Sequence, residues 1–468
     1  MRVLVTGATG HVGGQLVPAL LTAGHRVRVL SRRPDPGAGT DWADRVEVTV
    51  GDAAEPDTWD RALAGVGTAY YLLHSMGGRG GFRARDRRLA EEFAAAAARA
   101  GVRQVVYLGG LHPEGPGELS EHLASRVEVG RVLLDAPVPA AVLQAGIVLG
   151  AGSASYEVLR HLAERLPVMI APRWLRSRVQ PIAVDDVVHL LARVAELPAP
   201  VNRTFDVGGP DVLTYQELLR RYAARADLGP RLIVPVPVLT PGLAAHWVGL
   251  VTPVGAGLAR PLVASLSHDA VCDEQDLAAR VGWPSGSPTG VDEAIDRALR
   301  GYDPHRWRRT LLATSAATAA AALVGSLATS PESRWYRGLS LPSWQPPPAA
   351  FPVVWTALYG AVAVAGAAVQ AESPRRPRRR FAAALGANLV LNAGWSVVFF
   401  DRHRPVAATA VAAALTASGA DLTRRARRTG RGKAAVFAAY TGWCGFATVL
   451  TGAIARRNRG RSGRVSAG

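Results

Sequence analysis

After residue 300 the chain carries five uncharged apolar runs, at 311–330, 349–371, 381–400, 405–420 and 434–455. Few soluble folds need so many in succession, and most of these are close to the roughly 20 residues that a membrane-spanning helix requires. Between the first two runs, Trp335 to Tyr359 packs three tryptophans and five prolines into one passage. Aromatic side chains with one polar end favour the membrane interface, and prolines stop helices where a chain leaves the bilayer. The passage therefore reads as a loop joining two spans, and the whole pattern as five spans. The fourth run is short: its 16 residues, at about 1.5 Å each, cover about 24 Å of a roughly 30 Å hydrocarbon core. A buried, alanine-rich soluble helix is the alternative there.

The formal net charge of +17 invites a nucleic-acid reading, but the arginines do not gather on one recognition element. In the last third they cluster at span ends. Arg375, Arg376, Arg378, Arg379 and Arg380 follow the second run, and Arg424, Arg425, Arg427, Arg428, Arg431 and Lys433 lie between the fourth and fifth. The first loop has Arg334 and Arg337, the third Arg402 and Arg404. The positive-inside tendency predicts that the second and fourth loops are cytoplasmic. Arg306, Arg308 and Arg309 before the first span agree, which leaves the N-terminal part in the cytoplasm. The basic tail from Arg456 to Arg464 then falls outside, against the trend.

Trp335, Tyr336, Pro342, Trp344, Pro346, Pro347, Phe351, Trp355, Leu358 and Tyr359 lead to Asn388, Asn392, Trp395, Phe399 and Phe400. Tyr440, Trp443, Phe446 and Ala447 follow. This order and spacing resembles the tryptophan-rich sensory protein family (TspO/MBR, the translocator-protein family) over about the last third of the chain. The resemblance implies a five-helix bundle, pairing of two copies through it as one option, and a pocket under the first loop for tetrapyrroles or other lipophilic small molecules. By position, Trp344, Trp355, Trp395, Trp443, Asn388 and Asn392 are the ligand-binding candidates. The chain departs from the family at Ala439, where proline is usual, and at Thr451, where asparagine is usual. Interfacial anchoring is the other reading of each tryptophan.

The N-terminal end is a different chemistry. MRVLVTGATGHVGGQLVPALL sets Gly7, Gly10 and Gly13 directly after an apolar strand and at the start of a helical pattern. Glycines there let the backbone approach a pyrophosphate, which then sits at the positive end of the helix. The next strand, Val27 to Leu30, ends at Ser31, Arg32 and Arg33, where an NAD-binding chain usually carries an acid. Arginines suit a 2′-phosphate, so NADP(H) is the expected cofactor, with NAD(H) as the alternative. Gly51 and Asp52 fall near the adenine. Alternating strand and helix patterns continue to about residue 300 and predict a doubly wound parallel sheet. The set resembles the atypical, extended short-chain dehydrogenase/reductase group, including its NmrA-like members.

That resemblance implies a tyrosine, a lysine and a serine that this chain lacks. The helix that should carry the first two reads HLASR from His122 to Arg126, and the serine position falls at Gly109 and Gly110. Lys433, the only lysine, is far away. A histidine can transfer protons near neutral pH and a neighbouring guanidinium would depress its pKa, so His122 and Arg126 are the catalytic candidates. A structural role for His122 is the alternative. His74 and Ser75, at the end of the fourth strand, come next.

The expected organisation is a Rossmann domain at 1–230, a substrate-side region at 231–300, a membrane domain at 305–457 and a basic tail at 458–468. It is α/β followed by an all-α transmembrane bundle. Leu232 to Ala259 lacks charge, but its prolines point to a lid or surface segment. Cys272 and Cys444 suggest no disulfide framework, no metal cluster stands out, and Met1 leads at once into the first strand without a signal peptide. Two functions remain. One is a sensor or carrier in which a nicotinamide-nucleotide domain is coupled to a tetrapyrrole-binding bundle. The other is an NADP(H)-dependent oxidoreductase acting on a lipophilic or tetrapyrrole-like substrate.

Overall fold

Short β-branched stretches separated by helices build the first unit, Met1–Pro304, and long alanine-rich helices the second, His305–Gly468. A computed structural model describes residues 1–74, 82–112, 119–236 and 268–459.

In the first unit, β1 (Arg2–Thr6), β2 (Arg26–Ser31), β3 (Glu47–Val50), β4 (Thr68–Tyr71), β5 (Gln104–Gly110) and β6 (Ala140–Ala145) alternate with α1 (His11–Thr22), α2 (Pro56–Leu63), α3 (Phe82–Arg99) and α4 (Glu121–Leu134). The short pairs β7 (Val148–Leu149), β8 (Val168–Pro172), β9 (Arg178–Val179) and β10 (Ile182–Ala183) follow. Around them come α5 (Ala154–Arg165), α6 (Val184–Val194), β11 (Arg203–Val207), β12 (Leu213–Thr214), α7 (Tyr215–Arg225) and β13 (Leu232–Val236). The main sheet is entirely parallel, in the order β11-β6-β5-β4-β1-β2-β3, which is the doubly wound arrangement expected.

The central strands feed both faces. Val3, Val5, Val106, Leu108, Ala141 and Leu143 pack beneath α1 and α6, whereas Leu4, Tyr71, Tyr107 and Val142 pack beneath α2, α3 and α4. A second cluster joins α5, α7 and the helix Val291–Leu299 (α9). The 231–300 region contributes to both: Asp276–Val281 (α8) lies against β11 and α6, while α9 lies against α7. Of the proline-rich segment, β13 pairs in parallel with β8, and 237–267 lies outside the described residues.

The second unit has five helices long and apolar enough to cross a membrane: α10 (Arg306–Ala328), α11 (Ala350–Glu372), α12 (Arg375–Ser396, continued by a π-helical turn to Asp401), α13 (Pro405–Ala426) and α14 (Arg431–Arg457). The fourth is longer than its apolar run. Its 22 residues reach about 33 Å, because Asp421 pairs with Arg424 one turn on and the helix continues past the apolar stretch. Small residues set the close approach of α13 and α14: a Cβ on Gly419 would lie 2.7 Å from the Thr441 hydroxyl, and the hydroxyls of Thr416 and Thr448 are 3.0 Å apart.

The two ends of the bundle differ. At one, Lys433 meets Glu372 at 2.7 Å and brings together the loops before α12 and before α14. At the other, Trp335 stacks on His403 at 4.3 Å, and buried Asn458 accepts from the Ser340 N–H at 3.0 Å and donates to its carbonyl at 3.1 Å. The segment expected as tail thus begins with a residue that holds the first loop, and 460–468 lies outside the described residues.

Candidate functional site

The β1–α1 turn is shaped by what its glycines leave out. Gly7 has φ +67°, and a Cβ there would come within 2.6 Å of the Leu72 carbonyl oxygen. At Gly13 a Cβ would meet the Gly7 oxygen at 2.3 Å, so α1 could not pack so closely on the turn. Gly10 differs: an added Cβ would have only the Gly7 oxygen nearby, at 3.1 Å. Helix α1 starts there with no side-chain cap and no acid in its first turn, so its N–H groups and positive dipole end are unclaimed. Thr6 fixes the neighbouring strand end, donating to Tyr70 O at 3.0 Å and accepting from Leu72 N at 2.8 Å. These residues fit a dinucleotide pyrophosphate. Arg32 and Arg33 follow β2 fully outside the core, and Asp52 follows β3 with its carboxylate turned back to the Ala54 N–H at 3.0 Å.

His122 and Arg126 occupy one face of α4, whose first turn Ser120 caps through the Leu123 N–H at 3.3 Å. Their surroundings are shared with His74 at the end of β4, whose ring lies 6.0 Å from that of Tyr107. Burial first, and then the charge of Arg126, hold His74 well below the usual histidine range. Burial first and Arg126 second bring His122 down to about 3, so it is a neutral imidazole at physiological pH. The Arg126 Nε is buried without a hydrogen-bond partner among the described residues, while Tyr107 donates to the Arg126 carbonyl at 3.3 Å. Tyr107 itself is buried, and burial raises its phenol far above the working range of an acid catalyst. At Gly110 a Cβ would meet the end of the Leu123 side chain at 2.9 Å, and at Gly109 the nearest atom would be in the Tyr107 ring at 3.4 Å. Ser75 lies outside the described residues.

Beside α4, a cavity of about 350 Å³ opens over β5, β6 and β11, bordered by Gly109, Gly110, His112, Arg126, Gln144 and Asp206. His112 and Gln144 approach each other at 3.2 Å across it. Neither belongs to a motif visible in the sequence. His112 follows the end of β5 and Gln144 is the last residue but one of β6, and only the pairing of β5 with β6 brings them together.

In the bundle the aromatic candidates form three groups. Trp344, which is 47% exposed, and Trp443 meet through Phe446 at 6.0 and 5.1 Å. Trp355 stacks on Tyr359 at 5.5 Å and edges Tyr440 at 6.4 Å, and Trp395 stacks on Phe399 at 5.4 Å. The two asparagines are used internally. Tyr359 donates to Asn392, Asn392 donates to the Tyr440 hydroxyl at 3.3 Å, Tyr440 donates to Asn388 at 2.7 Å, and Asn388 donates to Leu415 O at 3.4 Å. The indole N–H groups of Trp395 and Trp443 and the Gln345 Oε1 are buried without a partner among the described residues.

Comparison with known proteins agrees with both halves. The TspO/MBR family model matches residues 313–457, and an NAD(P)H-binding family model matches residues 7–136. A ceramide reductase of Caulobacter vibrioides is 34% identical over 271 residues, covering 56% of this chain and 84% of that protein. A tryptophan-rich protein TspO of Chlorobaculum tepidum is 38% identical over 78 residues, covering 16% of this chain and 49% of that protein. Among solved structures, Citrobacter sp. triphenylmethane reductase complexed with NADP(H) superposes with a TM-score of 0.51 at 21% identity, covering 64% of this chain and all of that one, a likeness of fold. The chain belongs to the family of NAD(P)H-binding, short-chain-reductase-like proteins that includes the Caulobacter ceramide reductase, and its C-terminal part to the TspO/MBR family.

Proposed function

We propose that this protein is a membrane-anchored NADP(H)-dependent reductase of a lipid carbonyl compound of ceramide-like character. The observation that carries the reading is the 34% identity to a ceramide reductase across 84% of that protein's length, joined to an intact nucleotide turn. When bound, NAD(P)H supplies the hydride, which reduces the carbonyl carbon while a proton reaches the oxygen to give the alcohol. The chain's own contribution is electrostatic. A neutral His122 offers an imidazole N–H to the carbonyl oxygen, as a hydrogen-bond donor rather than as an imidazolium acid. Arg126 supplies fixed positive charge beside it, and the cavity bordered by Gln144 and His112 receives the polar part of the lipid. Arg32 and Arg33 favour the 2′-phosphate of NADPH over the bare ribose of NADH. The arginine-rich loops keep the reductase unit on the cytoplasmic side. Purified full-length protein should oxidise NADPH when given a long-chain lipid ketone. Absence of NADPH oxidation across lipid ketones, quinones and porphyrins would sink the reading.

A second reading keeps turnover out: a sensor or carrier that couples nicotinamide binding to a tetrapyrrole-like ligand in the bundle. It is favoured by the unpaired indole N–H groups of Trp395 and Trp443, which a ligand acceptor would satisfy. Tryptophan quenching by a porphyrin, lost about tenfold or more in Trp355→Ala with Trp443→Ala, would support it. Unchanged binding in that folded variant would leave the tryptophans as interfacial anchors.

A further inference from the structure

The C-terminal 164 residues hold 23 of the chain's 54 basic residues but only four of its 37 acidic ones, so the net positive charge of the chain resides in the bundle. Much of it stands at one end. Five arginines occupy 375–380 at the start of α12, and Arg424, Arg425, Arg427, Arg428, Arg431 and Lys433 occupy the turn from α13 into α14. The Lys433–Glu372 pair brings the two groups together. The two acids at this end are already engaged, Glu372 by Lys433 and Asp421 by Arg424 and Arg425. The five arginines of 375–380 and Arg427, Arg428 and Arg431 have no ion pair among the described residues, and all but Arg378 are exposed. The group at 375–380 and Arg431 also stand at helix starts, where the dipole is positive and no first-turn acid compensates it, while Arg427 and Arg428 follow the end of α13. Nothing described in the protein neutralises this surface.

Its depth suggests what does. Phe381, the residue after Arg380, is buried in the bundle core at 2% exposure. Arg375 is six residues before it, about 9 Å along the helix axis at 1.5 Å per residue. The headgroup layer on each side of a bilayer is of comparable thickness, about 5–8 Å. With the hydrocarbon boundary near Phe381, where the uncharged run 381–400 begins, the guanidinium groups of 375–380 would reach the level of the lipid phosphates, and their planar fork matches a phosphate bidentately. A nucleic acid would have to enter a plane that the bilayer already fills.

We propose that this arginine face binds the phosphates of anionic phospholipids in the adjoining leaflet in preference to zwitterionic ones. The inference depends on the bundle alone and is independent of any reductase activity. The test uses full-length protein reconstituted into nanodiscs of phosphatidylcholine with or without phosphatidylglycerol, reading the unfolding temperature of the bundle and the lipid retained on detergent extraction. Phosphatidylglycerol should be retained at least tenfold over phosphatidylcholine at low salt and raise the unfolding temperature. At 0.5 M NaCl both effects should shrink, since screening acts on exposed charges. Replacing the five arginines of 375–380 by glutamine should remove most of the preference, whereas Arg402→Gln with Arg404→Gln, at the other end, should leave it. If the glutamine variant fails to fold, the salt titration of the parent protein decides. Equal retention of the two lipids at low salt, or protection by inorganic phosphate or an RNA oligomer with none by phosphatidylglycerol, would overturn the proposal.

Discussion

The two units spend their arginines differently. In the reductase-like unit many are paired: Arg28 bridges Glu47 at 2.9 Å and also donates to three backbone carbonyls at the end of α2, and Arg297 joins Asp185 and Glu293 at 2.9 and 2.7 Å. In the bundle they stand at helix ends, while the interior is held by threonine hydroxyls, close glycine and alanine contacts, and one tyrosine–asparagine network. Water can screen the charges of a soluble unit and tolerates many modest ion pairs, each worth about 1 kcal/mol or less. A bilayer interior cannot, so polar groups there are few and mutually satisfied. Among the described residues Arg32 and Arg33, which follow β2, have no ion pair, and the Nε of Arg126 is buried without a hydrogen-bond partner.

That contrast can be broken at graded strength. Gly13→Val should have the largest effect, because its Cβ would meet the Gly7 oxygen at 2.3 Å; nucleotide binding is abolished and the first unit loses about 3 kcal/mol or more. Nucleotide titration and chemical unfolding would show it. Gly10→Val, whose Cβ would meet the Gly7 oxygen at 3.1 Å, should abolish binding with a smaller loss of stability than Gly13→Val, and a retained affinity would remove the pyrophosphate from this turn. Arg32→Ala with Arg33→Ala comes next, weakening NADPH about tenfold or more and NADH hardly at all. Equal losses for both nucleotides would contradict the 2′-phosphate assignment. In the bundle, Tyr440→Phe strands the amides of Asn388 and Asn392 and should cost about 1–3 kcal/mol in detergent unfolding. An unchanged midpoint would mean the network is not structural.

The smallest effect is on pH. Burial holds His122 at about 3 and His161 at about 4, below the histidine value of 6.5 in the unfolded chain. Between those values the unfolded chain binds more protons, so stability is full above pH 6.5 and falls as the solution is acidified towards 4. His122→Gln should flatten that fall by about 1 kcal/mol at pH 6. A steeper fall in the variant would contradict a neutral buried imidazole.

Local patterns made much of this legible in the sequence. The glycine turn and the parallel alternation follow from residues close together in the chain, and the spans follow from composition. The fourth span was harder, because its last turn carries Asp421, Arg424 and Arg425, whose mutual pairing completes the helix without apolar residues. The His112–Gln144 contact depends on strand pairing, and the stacking of His403 on Trp335 depends on a positive φ of 51° in a loop that reads as plain charge. Asn388 and Asn392 illustrate a different gap. Their place in a polar motif suits a ligand site and an internal network equally, and only the positions of Tyr359 and Tyr440 show which bonds the amides make.

The most direct test of the reductase reading follows the hydride itself. Membranes containing the full-length protein would be given a long-chain lipid ketone and NADPH deuterated at the transferable position, and the lipid alcohol analysed by mass spectrometry. One deuterium per alcohol formed, absent in Gly10→Val membranes, is the predicted result. Lipid that stays unreduced, or alcohol formed without deuterium from either face of the nicotinamide, would contradict it.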